Sequence, residues 1–353
     1  MAYCNAVGHF FVPFELVWLL KYLSFVDFSA YFNIFMTKVT EFINKAEGKT
    51  LFSIEIIPPL KGQNINELFN SIQPLMEFKP QFVDVTYHRE ELIDRVGENG
   101  LIERIPIRKR PGTVGICARL MERFHVDAVP HVICGGFTKD ETEDVLFDLH
   151  YLGIDNVLVL RGDPEKSAGI FKAKTGGHTY ASELVQQVSN MNKGMLLNAE
   201  TETHPTDFCI GVAGYPEKHL DAASFDDDYA HLKNKVDLGA NYIVTQMFFD
   251  NQKFFKFVDR CRAEGITVPI IPGLKPLATK KQLSVLARIF HLEFPAELIK
   301  EAEKCQTDKE VRQLGVEWGV QQCKELIAYG APVLHFYTMG KSDNVAKIAS
   351  QVF

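Results

Sequence analysis

The stretch LGIDNVLVLRGD, residues 152–163, places a helix end, a buried strand and a charged turn next to one another. Gly153 is typical of a helix C-terminus, where the left-handed backbone conformation favours glycine. The apolar run 156–160 does not alternate with polar residues, which is typical of a parallel strand covered on both faces. A simple turn after it would need Gly162, but neither Arg161 nor Asp163. The two charges therefore indicate that this strand end has a function.

The same succession of helix, glycine and apolar strand recurs at Gly239, Gly265 and Gly330. Four further apolar runs predict strands at 51–57, 81–87, 127–133 and 208–214. Eight strand-helix units in about 300 residues favour the α/β class and a (β/α)8 TIM barrel. An open, doubly wound sheet is the alternative.

Helix signals lie between these strands. Thr138 and Thr279 begin the patterns TKDE and TKKQ, which have the spacing of a capping box. Tyr229, Leu232 and Val236 mark the apolar face of another helix. No low-complexity linker divides the chain, so we expect a single domain.

Composition excludes several classes of protein. The chain has 353 residues and a formal net charge of −7, which does not suggest binding to nucleic acid. Its 7 cysteines are scattered without a CxxC pair, which fits a reducing, cytoplasmic compartment without disulfides or a zinc ribbon. No His, Cys and Asp cluster has the spacing of metal ligands, so no metal is expected. No GxGxxG follows a strand, so any dinucleotide binds here without that loop.

The first 35 residues differ from the rest because they are crowded with aromatic residues. A membrane span is not expected, since Glu15, Lys21 and Asp27 interrupt the apolar run. We interpret residues 1–35 as an extension outside the native fold, from a start codon assigned upstream of Met36. The alternative is an amphipathic anchor at a membrane surface. Residues 36–353 then form the catalytic barrel.

In a (β/α)8 barrel the active site lies at the carboxyl ends of the strands. Polar residues stand at or near these ends in nearly every predicted strand, and they are Glu55, Thr86, Tyr87, His131, Arg161, Asp163, Tyr215, Gln246, His335 and Tyr337. Their convergence on one rim predicts a pocket.

Each of the main candidates also has a structural interpretation. Glu55 lies between isoleucines, where burial raises the pKa of a carboxyl and suits a general acid, although an ion pair with a core arginine is the alternative. Asp163 either acts in the site or caps the next turn. Gln246 either reads the amide edge of a heterocycle or satisfies buried backbone groups. His131 is either a ligand contact or a hydrogen-bonded core histidine.

The sequence resembles the methylenetetrahydrofolate reductase family. The resemblance rests on segments in the family's order, including FSIEIIPP (52–59), FVDVTY (82–87), VLVLRGD (157–163), GVAGYPEKH (211–219), IIPGLKP (270–276) and HFYTM (335–339). It covers nearly all of residues 36–353 and is similar to the short bacterial form. It implies an FAD-dependent barrel that makes 5-methyltetrahydrofolate for methionine synthesis.

The resemblance also implies the reaction and its residues. NADH or NADPH reduces FAD and leaves, and methylenetetrahydrofolate then takes the hydride in a ping-pong sequence. Glu55 is the implied general acid, and Asp163 lies between flavin and pterin as the second catalytic residue. Gln246, Gln282 and Lys341 join Asp163 in binding the folate. The implied FAD contacts are Thr86, Tyr87, His131, Arg161, Gly162, Asp163, Tyr180, Ala181, Tyr215, His219, Asp228, His231, Asn234 and Lys235.

Two positions depart from the family pattern. Lys341 stands where an arginine often binds the folate tail, and lysine cannot make the same planar two-point contact. Leu286 stands near a position that is aromatic in some relatives, so stacking is lost there unless Phe290 supplies it.

Two other functions remain open. One is a different flavin barrel, such as a proline-oxidising enzyme, and the other is a subunit that takes electrons from an iron–sulfur protein. The expected partners are a folate substrate and further copies of this chain in a homo-oligomer. Neither nucleic acid nor a membrane is an expected partner.

Overall fold

The computed structural model describes residues 37–98, 100–164, 169–199, 201, 203–340 and 342–353. The predicted extension, residues 1–35, and the predicted folate contact Lys341 lie outside these ranges. The described elements belong to one compact unit.

The strands follow the predicted order along the chain. They are β1 Leu51–Ile56, β2 Phe82–Val85, β3 Glu91–Val96, β4 Ile102–Ile107, β5 Asp127–Ile133, β6 Asn156–Leu160, β7 Cys209–Gly214, β8 Tyr242–Thr245, β9 Ile270–Ile271, β10 Gly273–Leu274 and β11 Val333–Tyr337. Nine of them form one sheet in the order β10-β11-β1-β2-β5-β6-β7-β8-β9, and every pairing in it is parallel.

The sheet closes through one broken strand. β9 pairs with β8, β10 pairs with β11, and Pro272 separates β9 from β10. Proline has no N–H to donate, so the ladder is interrupted at this residue while the chain continues. The nine segments therefore occupy the eight positions of a (β/α)8 barrel. This confirms the predicted barrel, and the open sheet is wrong.

Helices cover the outside of the barrel and the end at which its strands begin. They are α1 Val39–Lys45, α2 Ile65–Met76, α3 Thr113–Phe124, α4 Lys139–Tyr151, α5 Ala181–Met191, α6 Phe225–Asp237, α7 Asn251–Ala263, α8 Lys281–Phe290, α9 Ala296–Lys304, α10 Asp308–Tyr329 and α11 Asp343–Val352. The predicted helix-end glycines all have positive φ, and they are Gly153, Gly239, Gly265 and Gly330. Within the described ranges, no helix has both the length and the apolar character that crossing a membrane requires.

One of the two predicted capping boxes is present. The Thr138 hydroxyl accepts the Glu141 N–H and the Glu141 carboxylate accepts the Thr138 N–H, so α4 begins as predicted. The box at Thr279 is wrong, because α8 begins only at Lys281 and the Thr279 side chain caps nothing. Only half of the pattern forms there, since the Gln282 side-chain oxygen accepts the Thr279 N–H at 3.3 Å.

The antiparallel hairpin of β3 and β4 was not predicted. It leaves the barrel after β2, and most of its residues are exposed, with Val96 at 70% and Ile102 at 72%. Because neither face is buried against the core, the sequence carries no burial pattern that would predict these strands.

Helix α1 closes the N-terminal end of the barrel. The Val39 N–H donates to Asn156 Oδ1 at 2.9 Å, and Asn156 Nδ2 donates to the Thr37 carbonyl at 3.0 Å. The Thr37 N–H donates to Asp127 Oδ2 at 3.0 Å. Asn156 and Asp127 are the first residues of β6 and β5. Any site inside the barrel is therefore reached from the carboxyl ends of the strands.

Candidate active site

Three titratable side chains meet inside the barrel, close to its open end. Strand pairing aligns Glu55 of β1 with Asp84 of β2, and His131 comes from β5. His131 Nε2 lies 3.4 Å from Glu55 Oε2 and 3.6 Å from Asp84 Oδ2. His131 is 6% exposed, Glu55 9% and Asp84 0%, so this cluster is almost completely shielded from solvent. Among the described residues, none donates a hydrogen bond to either oxygen of the Asp84 carboxyl.

Burial dominates the charge states of this cluster. It raises the pKa of Glu55 to about 7, opposed by His131 and Lys275 and reinforced by Asp84. It also raises the pKa of Asp84 well above its usual value. It lowers the pKa of His131, with Glu55 acting in the opposite direction. Burial therefore favours the neutral form of Asp84, His131 is mostly uncharged at neutral pH, and Glu55 is close to its own midpoint, which suits a general acid.

A second buried pair lies beside this cluster. The Ser53 hydroxyl and His335 Nδ1 are 2.8 Å apart, and both residues are fully buried. Burial lowers the pKa of His335 to about 3, so this imidazole is neutral throughout the working pH range.

Sequence reasoning missed Asp84 and Lys275 as members of the site. Lys275 follows β10, is 9% exposed, and has a pKa lowered to about 8 by burial, with the Glu55 carboxylate acting in the opposite direction. Each residue carried a signal, since a charged side chain stands among apolar neighbours in FVDV and in IPGLKP. That signal was the same one that selected Glu55.

The charged turn after β6 is shaped by its glycine. Gly162 has φ +84°, and a Cβ there would lie 3.3 Å from Ile133 Cδ1, so a side chain would be both strained and crowded. Arg161 donates to Asp221 Oδ2 at 2.5 Å and lies over the Phe171 ring at 5.1 Å. Asp163 is exposed at the rim. The turn thus places a carboxylate at the mouth of the barrel, on a backbone that packs closely against Ile133.

A second polar group stands at the end of β7. The rings of Tyr215 and His219 are 4.6 Å apart, and the His219 N–H donates to Asp228 Oδ2 at 2.9 Å. Lys235 Nζ donates to the Ala213 carbonyl at 2.7 Å. Burial lowers the pKa of Lys235 to about 8, although Asp228 acts in the opposite direction. Arg161 lies near this group, since its charge lowers the pKa of Tyr215. Five predicted cofactor contacts therefore lie close together, and they are Arg161, Tyr215, His219, Asp228 and Lys235.

The remaining predicted cofactor contacts lie around the same open end. Thr86 and Tyr87 follow β2, where Thr86 Oγ1 is 3.1 Å from His88 Nε2. The Tyr87 ring is 5.1 Å from that of Phe137, and its buried hydroxyl has no hydrogen-bond partner among the described residues. Tyr180 immediately precedes α5 and Ala181 is its first residue, whereas His231 and Asn234 are exposed on α6.

Two predicted folate contacts, Gln246 and Gln282, use their side-chain oxygens on nearby backbone groups. Gln246 follows β8 and is half-buried, because it stands at the open end. Its Oε1 accepts the Met247 N–H at 2.9 Å. Gln282 Oε1 accepts the Ala278 N–H at 2.7 Å. Leu286 is 5% exposed and packs in a cluster that Phe290 also contacts, so both side chains contribute to the core.

The open end suits an anionic ligand better than a metal ion. Arg161 and Lys235 place two cationic side chains there, and cationic side chains of this kind pair with phosphate. No three His, Cys, Asp or Glu side chains in the described part of the chain are arranged to hold a metal ion.

Comparison with known proteins identifies the family. The model of the family described as methylenetetrahydrofolate reductase matches residues 38–352. The chain belongs to the methylenetetrahydrofolate reductase family. The resemblance of its motifs is thereby confirmed over almost the whole described region.

Individual members of this family show the extent of the similarity. The 5,10-methylenetetrahydrofolate reductase of Escherichia coli is 32% identical over 300 residues, which cover 85% of this chain and 89% of that protein. A probable methylenetetrahydrofolate reductase (NADH) of Oryza sativa is 32% identical, covering 88% of this chain and 50% of the relative. Methylenetetrahydrofolate reductase 1 of Schizosaccharomyces pombe is 34% identical, covering 86% and 46%. The chain thus spans about half the length of the plant and yeast relatives.

A solved structure supports the fold alone. It is an uncharacterized protein from Clostridium thermocellum that binds two copies of 5-methyl-5,6,7,8-tetrahydrofolic acid. The TM-score is 0.50 at 14% identity, and the match covers 88% of this chain and 98% of that protein.

Proposed function

We propose that this protein reduces 5,10-methylenetetrahydrofolate to 5-methyltetrahydrofolate, with NADH or NADPH as hydride source and FAD as bound cofactor. The product would supply methyl groups for methionine synthesis. The observation that carries the proposal is the buried Glu55 carboxyl at the open end of the barrel, with its pKa raised to about 7 in a chain of this family.

The residues present fit FAD. A pyrophosphate is an anion, and the buried amine of Lys235 hydrogen-bonds only to a backbone carbonyl among the described residues, so it can still pair with a phosphate. Asp228 can accept a hydrogen bond from a ribose hydroxyl. At Gly162 the positive φ and the missing Cβ let the turn pack closely against Ile133, which fixes the backbone that a flat ring would meet at the rim. When bound, FAD would supply hydride transfer between the nicotinamide and the folate.

Glu55 would act in the folate half of the reaction. Its carboxyl, about half of it protonated near pH 7, would give its proton to the folate as the five-membered ring opens to a reactive iminium. Burial favours the uncharged forms of Asp84 and His131, so neither side chain competes as an ion for the Glu55 proton.

The other proposed contacts orient the folate and the cofactor. Gln246 uses its side-chain oxygen internally, which leaves its NH2 group to donate to a ligand. Asp163, exposed at the rim, would hydrogen-bond the pterin and place a negative charge close to the flavin. Gln282 and Lys341 would lie on the folate side, with Lys341 making a weaker contact than an arginine would.

A spectrum of the purified protein tests this function. We expect flavin absorbance that bleaches on anaerobic addition of NADH and returns on addition of methylenetetrahydrofolate. Bleaching by dithionite alone would favour a protein electron donor, and bleaching by proline would favour a proline-oxidising enzyme. Absence of flavin after reconstitution with FAD would contradict the proposal.

Two further proposals concern the chain as a whole. We propose that residues 1–35 are dispensable, so a variant that starts at Met36 should bind FAD as tightly as the full chain. We also propose a cytoplasmic homo-oligomer, and light scattering on the purified protein would measure the number of subunits.

A further inference from the structure

Lys275 faces the barrel interior, as strand pairing shows. β10 pairs with β11, aligning Gly273 with His335 and Leu274 with Phe336. His335 faces inward, because it contacts the interior Ser53 hydroxyl. Side chains alternate along a strand, so Leu274 faces the helices, and Lys275 faces the interior.

The same register places Lys275 in one row with Glu55. β11 pairs with β1 and aligns Tyr337 with Glu55. Lys275, one residue past β10, is level with Tyr337. The Tyr337 hydroxyl extends away from Glu55, towards β8, and donates to the Thr245 carbonyl at 2.6 Å. It is accommodated because Gly273 has no side chain, since a Cβ there would lie 2.5 Å from that hydroxyl.

The amine of Lys275 has no close partner among the described residues. It forms neither a hydrogen bond nor an ion pair within 4 Å in that part of the chain, although the residue is only 9% exposed. A buried ammonium group without a counter-charge is unfavourable. The carboxyl that acts on it electrostatically is Glu55.

We propose that Lys275 is a positioning residue for acid catalysis, because its ammonium group stabilises the Glu55 carboxylate that proton transfer leaves behind and so sets the acid strength of Glu55. The inference rests on the proposed function, in which Glu55 gives its proton to the folate. Proton transfer converts the neutral Glu55 carboxyl to an anion, and the Lys275 charge compensates that anion without itself losing a proton.

Several other groups face Glu55, and they are Asp84 from β2, His131 from β5, and His335 and Tyr337 from β11. Both histidines are mostly uncharged at neutral pH, because burial lowers their pKa values. Burial raises the pKa of Asp84 well above its usual value and so favours its neutral form. Burial also raises the pKa of Tyr337, which therefore stays protonated. Lys275, with a pKa of about 8, supplies the positive charge of this group at pH 7.

The test replaces Lys275 with a neutral side chain in two variants, Lys275→Met and Lys275→Gln. Either variant alone is enough for the test if the other does not fold. The infrared carboxyl band that Glu55→Gln removes reports the Glu55 titration in protein without substrate. We expect this titration to move up by about one pH unit, because an opposite charge has been removed. The alkaline limb of folate reduction should move by the same amount.

Two matched variants separate charge from packing. Lys275→Arg keeps the positive charge and should keep the wild-type titration. Lys281→Met removes a charge from an exposed position at the start of α8 and should also change nothing. An unshifted carboxyl titration in both neutral variants would overturn the proposal. So would a raised KM for the folate with an unchanged alkaline limb, since Lys275 would then bind substrate.

The two readouts also distinguish this inference from the proposed function. A shifted titration in a protein that does not reduce methylenetetrahydrofolate would overturn the proposed function, and with it the catalytic role of Lys275, while leaving its charge pairing with Glu55 in place. An unshifted titration in an active reductase would overturn the Lys275 inference alone.

Discussion

Two fully buried polar side chains at opposite ends of the barrel, Asn156 and Asp84, differ in their hydrogen bonding. At the N-terminal end Asn156 is 0% exposed, and its side chain both accepts and donates a hydrogen bond to the segment that begins α1. Nearer the open end Asp84 is also 0% exposed, yet neither carboxyl oxygen has a hydrogen-bond partner among the described residues. Equal burial thus accompanies full pairing in one place and none in the other.

This difference separates structural from functional polar groups. A buried group that is hydrogen-bonded stabilises the fold, whereas an unpaired one destabilises it and shifts its own pKa. Strain and unpaired groups of this kind concentrate at active sites. We therefore expect substitutions at the N-terminal end to change stability, and substitutions near the open end to change chemistry.

The largest expected effect is the gain in stability of Glu55→Gln over the wild type at neutral pH. Its absence would contradict the view that buried polar groups near the open end destabilise the fold. Glu55 is protonated in the folded and unfolded chain below pH 4.5, but between 4.5 and about 7 only the unfolded chain ionises. The stability contributed by Glu55 is therefore lost as pH rises through this window, by ~3 kcal/mol. Urea unfolding should show Glu55→Gln gaining this amount over wild type between pH 4.5 and pH 7.5.

A matched variant checks that the gain comes from burial. Glu103 is exposed in β4, so Glu103→Gln should follow the wild type at both pH values. A parallel pH dependence of wild type and Glu55→Gln would mean that Glu55 is not held protonated by the fold.

The next effect concerns the N-terminal end. Asn156→Ala leaves the Val39 N–H and the Thr37 carbonyl unpaired, which should lower the free energy of unfolding by ~2 kcal/mol. Turnover at temperatures where the variant is folded should stay unchanged. Asn198→Ala, the same truncation at an exposed helix contact, should have little effect on either quantity. Loss of turnover without loss of stability in Asn156→Ala would mean that Asn156 has a functional and not a structural role.

The smallest expected effect, in Gly162→Ala, tests whether the turn after β6 contacts the cofactor. Gly162→Ala and Gly100→Ala both place a side chain at positive φ, which should cost each variant ~1–2 kcal/mol of stability. Only at Gly162 would the new Cβ meet a neighbour, Ile133. We therefore expect FAD affinity to fall about tenfold in Gly162→Ala alone, measured by flavin fluorescence titration. Equal affinities in both variants would mean that this turn does not contact the cofactor.

The fold could be predicted because its signals are local. A glycine at a helix end and an apolar run after it are adjacent in sequence, and each of the four predicted cases is present. The hairpin of β3 and β4 was missed because its exposed strands show no burial pattern. Pro272 divides a strand whose halves pair with different neighbours, and no local pattern indicates this division.

The site was only partly predictable because its charges interact across distant parts of the chain. Glu55 and His131 each lie in a conspicuous apolar run, and the structure brings them to 3.4 Å. Lys275 faces Glu55 only through the register of β10, β11 and β1. No local pattern reports that register, since it depends on barrel closure. The cofactor contacts after β6 and β7 were predicted from the family resemblance rather than from spacing.

The measurement that tests the central claim most directly is the rate of each half-reaction in Glu55→Gln, followed anaerobically in a stopped-flow instrument. Bleaching of the flavin by NADH should proceed at the wild-type rate, because no proton from Glu55 is needed there. Return of the absorbance with methylenetetrahydrofolate should be slower by about 10²–10⁴-fold, the range expected for a missing general acid. Equal slowing of both steps, or of neither, would contradict the assignment of Glu55 as the acid of the folate half-reaction.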